Sequence, residues 1–124
     1  MSTKDTGNEG EKLACEYLVK KGYKILGKNY RVNFGEIDII AKKRGLFADK
    51  TIHFVEVKTL SGEGIFYPEE HVNYKKQNKY RGLVEIWLSK NKYLLNHPCQ
   101  VDIVAVSING ENFKIEFFEN VVSD

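Results

Sequence analysis

The chain has 124 residues, 42% of them hydrophobic and 29% charged, which suits one folded domain over 1–124 and excludes wholesale disorder. No apolar run approaches the ~18 residues that suggest a membrane span, and the opening MSTKDTGNEGEK has no apolar core resembling a secretion signal, so a cytoplasmic protein with no membrane partner is expected. A net charge of +2 is too small to identify a nucleic-acid partner, and the two cysteines, Cys15 and Cys99, form no CxxC pair that would hold structural zinc.

In chain order, residues 8–21 read as a helix, with Leu13, Ala14, Tyr17 and Leu18 recurring at helical spacing among charged residues. Residues 23–26 look like a short first strand, followed by the polar connection GKNYRVNFG. Residues 36–41 and 51–58 are the second and third strands, and the KKRGLFADK between them suits a hairpin-like link. The loop TLSGEGIFYP looks irregular, and a long helix is expected over 69–90 with an apolar stripe of Val72, Leu83, Ile86, Trp87 and Leu88. Residues 101–108 and 113–118 are the last two strands, joined by the turn NGEN. Helix, three strands, helix and two strands predict an α/β sandwich with a mixed central sheet, the fourth strand reached by a helical crossover.

Charge is spread unevenly. Residues 1–92 hold 18 Lys/Arg against 12 Asp/Glu, and residues 93–124 hold 1 against 5. A basic main body is compatible with phosphate binding and equally with solvated surface lysines.

Two strands carry ionised groups inside apolar runs: GEIDIIA holds Glu36 and Asp38, and FVEVK holds Glu56 and Lys58. Side chains two apart share a strand face, which puts Asp38 with Glu36 and Ile40, and Glu56 with Lys58 and Phe54. Ionised groups on a covered strand cost stability unless compensated, so a hydrated pocket, a metal or a substrate is indicated over a solvent-facing ion pair. Two carboxylates with a lysine suit metal-assisted phosphodiester hydrolysis, since Mg²⁺ favours oxygen ligands and a lysine can serve the attacking water.

The motifs G-E-x-x-A, N-Y-R, G-E-I-D, F-V-E-V-K, K-Q and V-D, in that order over nearly the whole chain, resemble the YraN-like bacterial family. That family looks like a branch of the restriction-endonuclease-like (PD-(D/E)xK) fold, similar to archaeal Holliday-junction resolvases. The resemblance implies a three-layer sandwich with a mixed sheet of about five strands. It also implies a Mg²⁺- or Mn²⁺-dependent nuclease acting on DNA, with branched or repair intermediates as candidate substrates; the alternative is a non-catalytic nucleic-acid-binding module. Asp38 matches the first metal-binding aspartate, Glu56 the second acid and Lys58 the lysine, with the Val57 carbonyl a further metal ligand. Glu11 matches the acid of the first helix, where it binds metal or water beside Asp38 or is simply an exposed helix residue. Ile37 stands where the signature has proline, and Gln100 and Val101 stand where Arg and Phe are expected.

Lys76 and Gln77 match the K-Q element, as water-orienting or phosphate-contacting groups or as surface residues. Arg31, in an aromatic–basic cluster with Asn29 and Tyr30, suits a phosphate contact or pairs with Glu36. Glu36 helps bind metal or caps the strand entrance. His53, His71 and His97 read as packing or surface residues, and Asp102 as a structural carboxylate. The resolvase analogy suggests a homodimer.

Overall fold

The computed structural model describes the backbone at 3–62, 67 and 74–122, and side chains at 7–62, 67 and 78–122. Its elements are α1 (Thr3–Lys20), β1 (Tyr23–Val32), β2 (Gly35–Lys43), β3 (Ile52–Ser61), α2 (Tyr74–Lys90), β4 (Cys99–Asn109) and β5 (Asn112–Phe118). The strands form one sheet in the order β1-β2-β3-β4-β5. Only β3 and β4 pair in parallel; the other neighbours are antiparallel. A parallel neighbour needs a crossover rather than a hairpin, and α2 lies in that connection, as the sequence predicts.

Among the described residues, α1 covers one face and α2 the other. Ala14 and Leu18 of α1 are buried with Ile39, Ala41, Val55, Val104 and Val106, the i, i+4 spacing laying both helix residues on one stripe. On the other face Leu83, Val84, Trp87 and Leu88 of α2 close over Ile37, Ile40, Ile52, Phe54 and Val101. Phe54 and Trp87 meet edge to face at 5.6 Å between ring centres, a favoured aromatic geometry. Phe54 and Ile40 are paired across β3 and β2, so the two central strands are apolar on both faces where they run together.

The first strand departs from expectation. It runs to Val32 rather than ending at residue 26, so the polar GKNYRV is strand and not loop. Its position at the sheet edge explains the misreading: β1 bonds only to β2, and its outward residues face solvent, leaving no continuous apolar signal. The register shifts between Ile25 and Gly27, and Asn29 takes a left-handed φ of 51°. Of the expected second helix, 69–73 lies outside the described residues, as do His71 and the side chains of Lys76 and Gln77.

Two glycines permit close approach. A Cβ on Gly82 would press on the Phe34 ring at 3.3 Å, so this residue, unfavourable inside a helix, lets the β1–β2 turn lie against α2. A Cβ on Gly10 would collide with Thr59 of β3, so Gly10 sets how near α1 comes to the sheet. Gly10→Val should therefore destabilise the protein by about 2–3 kcal/mol through overpacking. Thr59→Ala should recover part of that loss in a double-mutant cycle read by urea unfolding; simple additivity would show that the two residues do not compete for space.

Candidate active site

The β2–β3 ladder holds three pairs, Ile39↔Val55, Ile40↔Phe54 and Ala41↔His53, and stops just where the charged residues begin. Beyond it the Val57 amide donates to Asp38 Oδ2 at 2.8 Å, so a side-chain carboxylate takes the place of a strand carbonyl. β3 continues past this point because β4 pairs with it from Ile52↔Cys99 to Ser61↔Ile108.

Asp38 does not share a face with Ile40, as alternation predicts. Ile37 and Ile40 both belong to the core under α2, whereas Ile39 lies under α1. The period of two is broken at Asp38, opposite the left-handed Asn29, which sits between the pairs Lys28↔Ile39 and Tyr30↔Ile37. Asparagine enters that conformation more readily than most residues. The result turns Asp38 toward α1, where it shares a cavity of about 360 Å³ with Glu11, Cys15, Lys28 and Asn29.

Electrostatics tie the acids together. The Asp38 carboxyl is pushed up from 3.8 to about 7, first by burial and then by the charges of Glu11, Glu36 and Glu56, against the stabilising Val57 bond. Glu11 is also raised, by burial first and then Glu36, while its hydrogen bond to Asp38 and the charge of Lys28 lower it. A hydrogen bond between two carboxyl groups needs one proton between them, and both groups are raised in the direction that retains it. On the far side Tyr80 of α2 is held well above the usual phenol range, by burial first and then by the nearby Glu56 and Asp38.

Glu11, Glu36 and Glu56 thus all act on Asp38, from α1, β2 and β3. Arg31 engages Glu36 through Nε and Nη2 at 3.1 and 2.8 Å, in an exposed cross-strand pair that the β1–β2 register sets directly opposite. The donor set fits a hard divalent cation: all oxygen, and with its central carboxyl raised by burial and neighbouring acids, so that a cation there would favour its ionised form. Asp38, Glu56 and the Val57 carbonyl are the groups that could hold one, with Glu11 beside Asp38.

Lys58, half-buried, lies two residues beyond Glu56 on the same regularly paired strand and hence on its face, but does not figure among the groups that act on Asp38. The positions of Lys76 and Gln77 fall one helical turn ahead of Tyr80 on α2. Two contributors escaped the sequence reading. Lys28 fell in a stretch read as loop, and Tyr80 carried no signal beyond a place on the helix that brings the K-Q element.

A second polar cluster sits at the other end of the parallel pair. His53 Nδ1 and Asp102 Oδ2 lie 2.6 Å apart in the core, and Asp102 Oδ1 accepts from Gln100 Nε2 and the Asn120 amide, both at 2.8 Å. Ligand atoms of His53, Asp102 and Glu119 fall within 4.8 Å of one another, close enough for a metal. Both Asp102 oxygens already carry hydrogen bonds, one of them from the backbone, which accords with the structural carboxylate expected from sequence; the His53 partner was not expected. Their separation of 49 residues hides this pair from any motif.

A family model described as "Uncharacterised protein family UPF0102" matches residues 10–106. A UPF0102 protein of Caldicellulosiruptor bescii is 44% identical over 116 residues, covering 90% of each chain. One of Clostridioides difficile is 45% identical over 106 residues, covering 86% of this chain and 88% of its own. The solved structure of Pyrococcus furiosus SfsA in complex with Ca²⁺ covers 95% of this chain and 64% of its own at 14% identity and a TM-score of 0.39, too slight to bear on fold or function.

The raised Asp38 carboxyl has a signed consequence for stability. Its folded value lies above the unfolded one, so its contribution is complete below about pH 4 and is lost as pH rises through about 7. Metal-free wild type should lose stability relative to Asp38→Asn across that window, and Mn²⁺ should restore it at neutral pH. Urea midpoints of both proteins from about pH 4 to 8 check this; parallel curves would place the proton elsewhere.

Proposed function

The chain belongs to the uncharacterised protein family UPF0102, the YraN-like family of its motifs, and we propose that it is a metal-dependent nuclease of the restriction-endonuclease-like fold. The observation that carries the reading is the acid cluster, whose central Asp38 carboxyl is raised to about 7 by burial and then by neighbouring acids where β2 and β3 part. A carboxyl strongly perturbed by burial and by specific charged neighbours in a cavity is a functional-site candidate. The fold assignment is supported by the element order, by one helix on each face and by a mixed sheet whose only parallel pair carries Glu56 and Lys58.

In this reading Asp38, Glu56 and the Val57 carbonyl hold Mg²⁺ or Mn²⁺. When bound, the ion acidifies a water and polarises the phosphoryl oxygen. Glu11 steadies Asp38 through their shared hydrogen bond, and Asp38 gives up its proton as the site fills. Lys58 orients the water or takes its proton. Arg31, Lys76 and Gln77 are the proposed nucleic-acid contacts, Arg31 exchanging Glu36 for a phosphate. The substrate is DNA, with branched or recombination intermediates favoured by the resolvase analogy, which also proposes a homodimer acting in the cytoplasm. Among the described residues no helix is long and apolar enough to cross a membrane.

Calorimetric titration with Mn²⁺ should show binding that Asp38→Ala abolishes. Lys58→Ala should keep the metal and lose cleavage of branched, flapped or single-stranded DNA by at least about a hundredfold, the range of a general acid–base group. No Mn²⁺ uptake by wild type would remove the metal site. Binding of DNA without cleavage of any of these substrates would leave a nucleic-acid-binding module in its place.

A further inference from the structure

The loop between β2 and β3 begins as the ladder ends in three cations, Lys42, Lys43 and Arg44, and closes on Lys50. With Lys24 of β1 these four line one cavity of about 540 Å³. The acid at its rim, Asp49, is already committed: Oδ1 accepts from the Thr51 amide at 2.8 Å and from Thr51 Oγ1 at 2.6 Å. Five cations against one carboxylate in a concave wall is a strong local excess in a protein whose whole net charge is +2.

The loop is held at both ends. The Arg44 amide donates to the Gly22 carbonyl at 2.9 Å, and Arg44 Nε reaches the Tyr23 carbonyl at 3.4 Å, tying it to the turn after α1. His97 Nε2 donates to the Lys50 carbonyl at 2.9 Å, tying it to the segment before β4. Between these anchors Leu46 and Phe47 stand 88% and 96% exposed, and the Ala48 amide closes the turn on Gly45 at 3.3 Å. Single exposed apolar residues are ordinary. An aromatic presented almost whole to solvent on an anchored loop beside convergent cations is the arrangement by which single strands are held, phosphates on Lys/Arg and a base on the ring.

We propose that this loop is a second nucleic-acid contact, in which Lys42, Lys43, Arg44 and Lys50 hold backbone phosphates and Phe47 stacks on an unpaired base. The inference rests on the nucleic-acid reading above and deepens it by giving the substrate a single-stranded or unstacked portion. Its place is remote from the acids: Lys43 is five residues along β2 from Asp38, roughly 17 Å at strand rise. The concavity favours a phosphate chain over a membrane, whose headgroup plane meets convex or flat surfaces carrying broader apolar area.

The test is fluorescence anisotropy of full-length protein with a labelled single-stranded 20-mer and a matched duplex, in Ca²⁺, at 50 to 200 mM salt. Lys43→Glu/Lys50→Glu should weaken both at least about tenfold and flatten the salt dependence by roughly 1.5–2 in slope, the release expected for two phosphate contacts. Phe47→Ala should weaken the single strand about fivefold or more and the duplex little, as loss of one stacked base predicts. All three residues are exposed, so both variants should keep the wild-type unfolding midpoint. If wild type binds and the variants match it in affinity and slope, the loop assignment fails while the nucleic-acid reading stands. If wild type binds no DNA, both fail, and Mn²⁺ uptake at Asp38 still reports separately on the acids. Cosedimentation with phosphatidylserine vesicles that Phe47→Ala abolishes, with DNA binding unchanged, would assign the loop to a membrane instead.

Discussion

The bond from the Val57 amide to Asp38 Oδ2 is the constraint on which the site depends. Two antiparallel strands that keep pairing have no room between them, and two that simply separate leave buried amides unsatisfied. Here the ladder ends after Ile39↔Val55, and the carboxylate of Asp38 accepts the next available amide on β3. The gap stays open without an orphaned donor. A charge-assisted bond of this type favours the ionised form, yet burial and three neighbouring acids outweigh it and keep the proton on until about neutrality. A carboxyl so balanced responds to any cation that arrives, because a modest change in local charge moves its ionisation across physiological pH.

Each face of the sheet supplies one wall. From α1, Gly10 brings the helix close enough to Thr59 for the adjacent Glu11 to reach Asp38, so the G-E-x-x-A motif is one device: a glycine for approach, an acid for contact and Ala14 for the buried stripe. From α2, Tyr80 meets Glu56. The acids are therefore not a patch on one surface. They sit where the sheet opens, with Asp38 turned to α1 by the irregularity opposite Asn29 and Glu56 reaching α2 by ordinary alternation.

Much of this was legible in the sequence, because charge inside an apolar strand is a strong signal. Asp38, Glu56 and Lys58 stand out from IDIIA and IHFVEV for that reason alone, and the helix–strand order follows from periodicity. What could not be read has specific causes. The second half of β1 is polar because it lies at an edge, so the strand and Lys28 on it passed for loop. The face of Asp38 depends on the left-handed backbone of a residue on another strand, which alternation within one strand cannot express. His53 and Asp102 look isolated because their bond is tertiary, formed only when β3 and β4 lie in parallel register.

The β2–β3 unit also explains how two opposite kinds of charge coexist in so small a protein. Its paired middle, with Ile39, Ile40, Ala41, Phe54 and Val55 buried, is apolar on both faces and cannot flex without exposing core from both helices. Acids gather where the strands part and cations where they turn back. Across such a stiff spacer the two ends neither neutralise each other nor drift. That span of roughly 17 Å is the length of only a few nucleotides. A polyanion meeting the cations would thus lie a fixed few steps from the acids, which links where the protein holds a strand to where the acids can act on it.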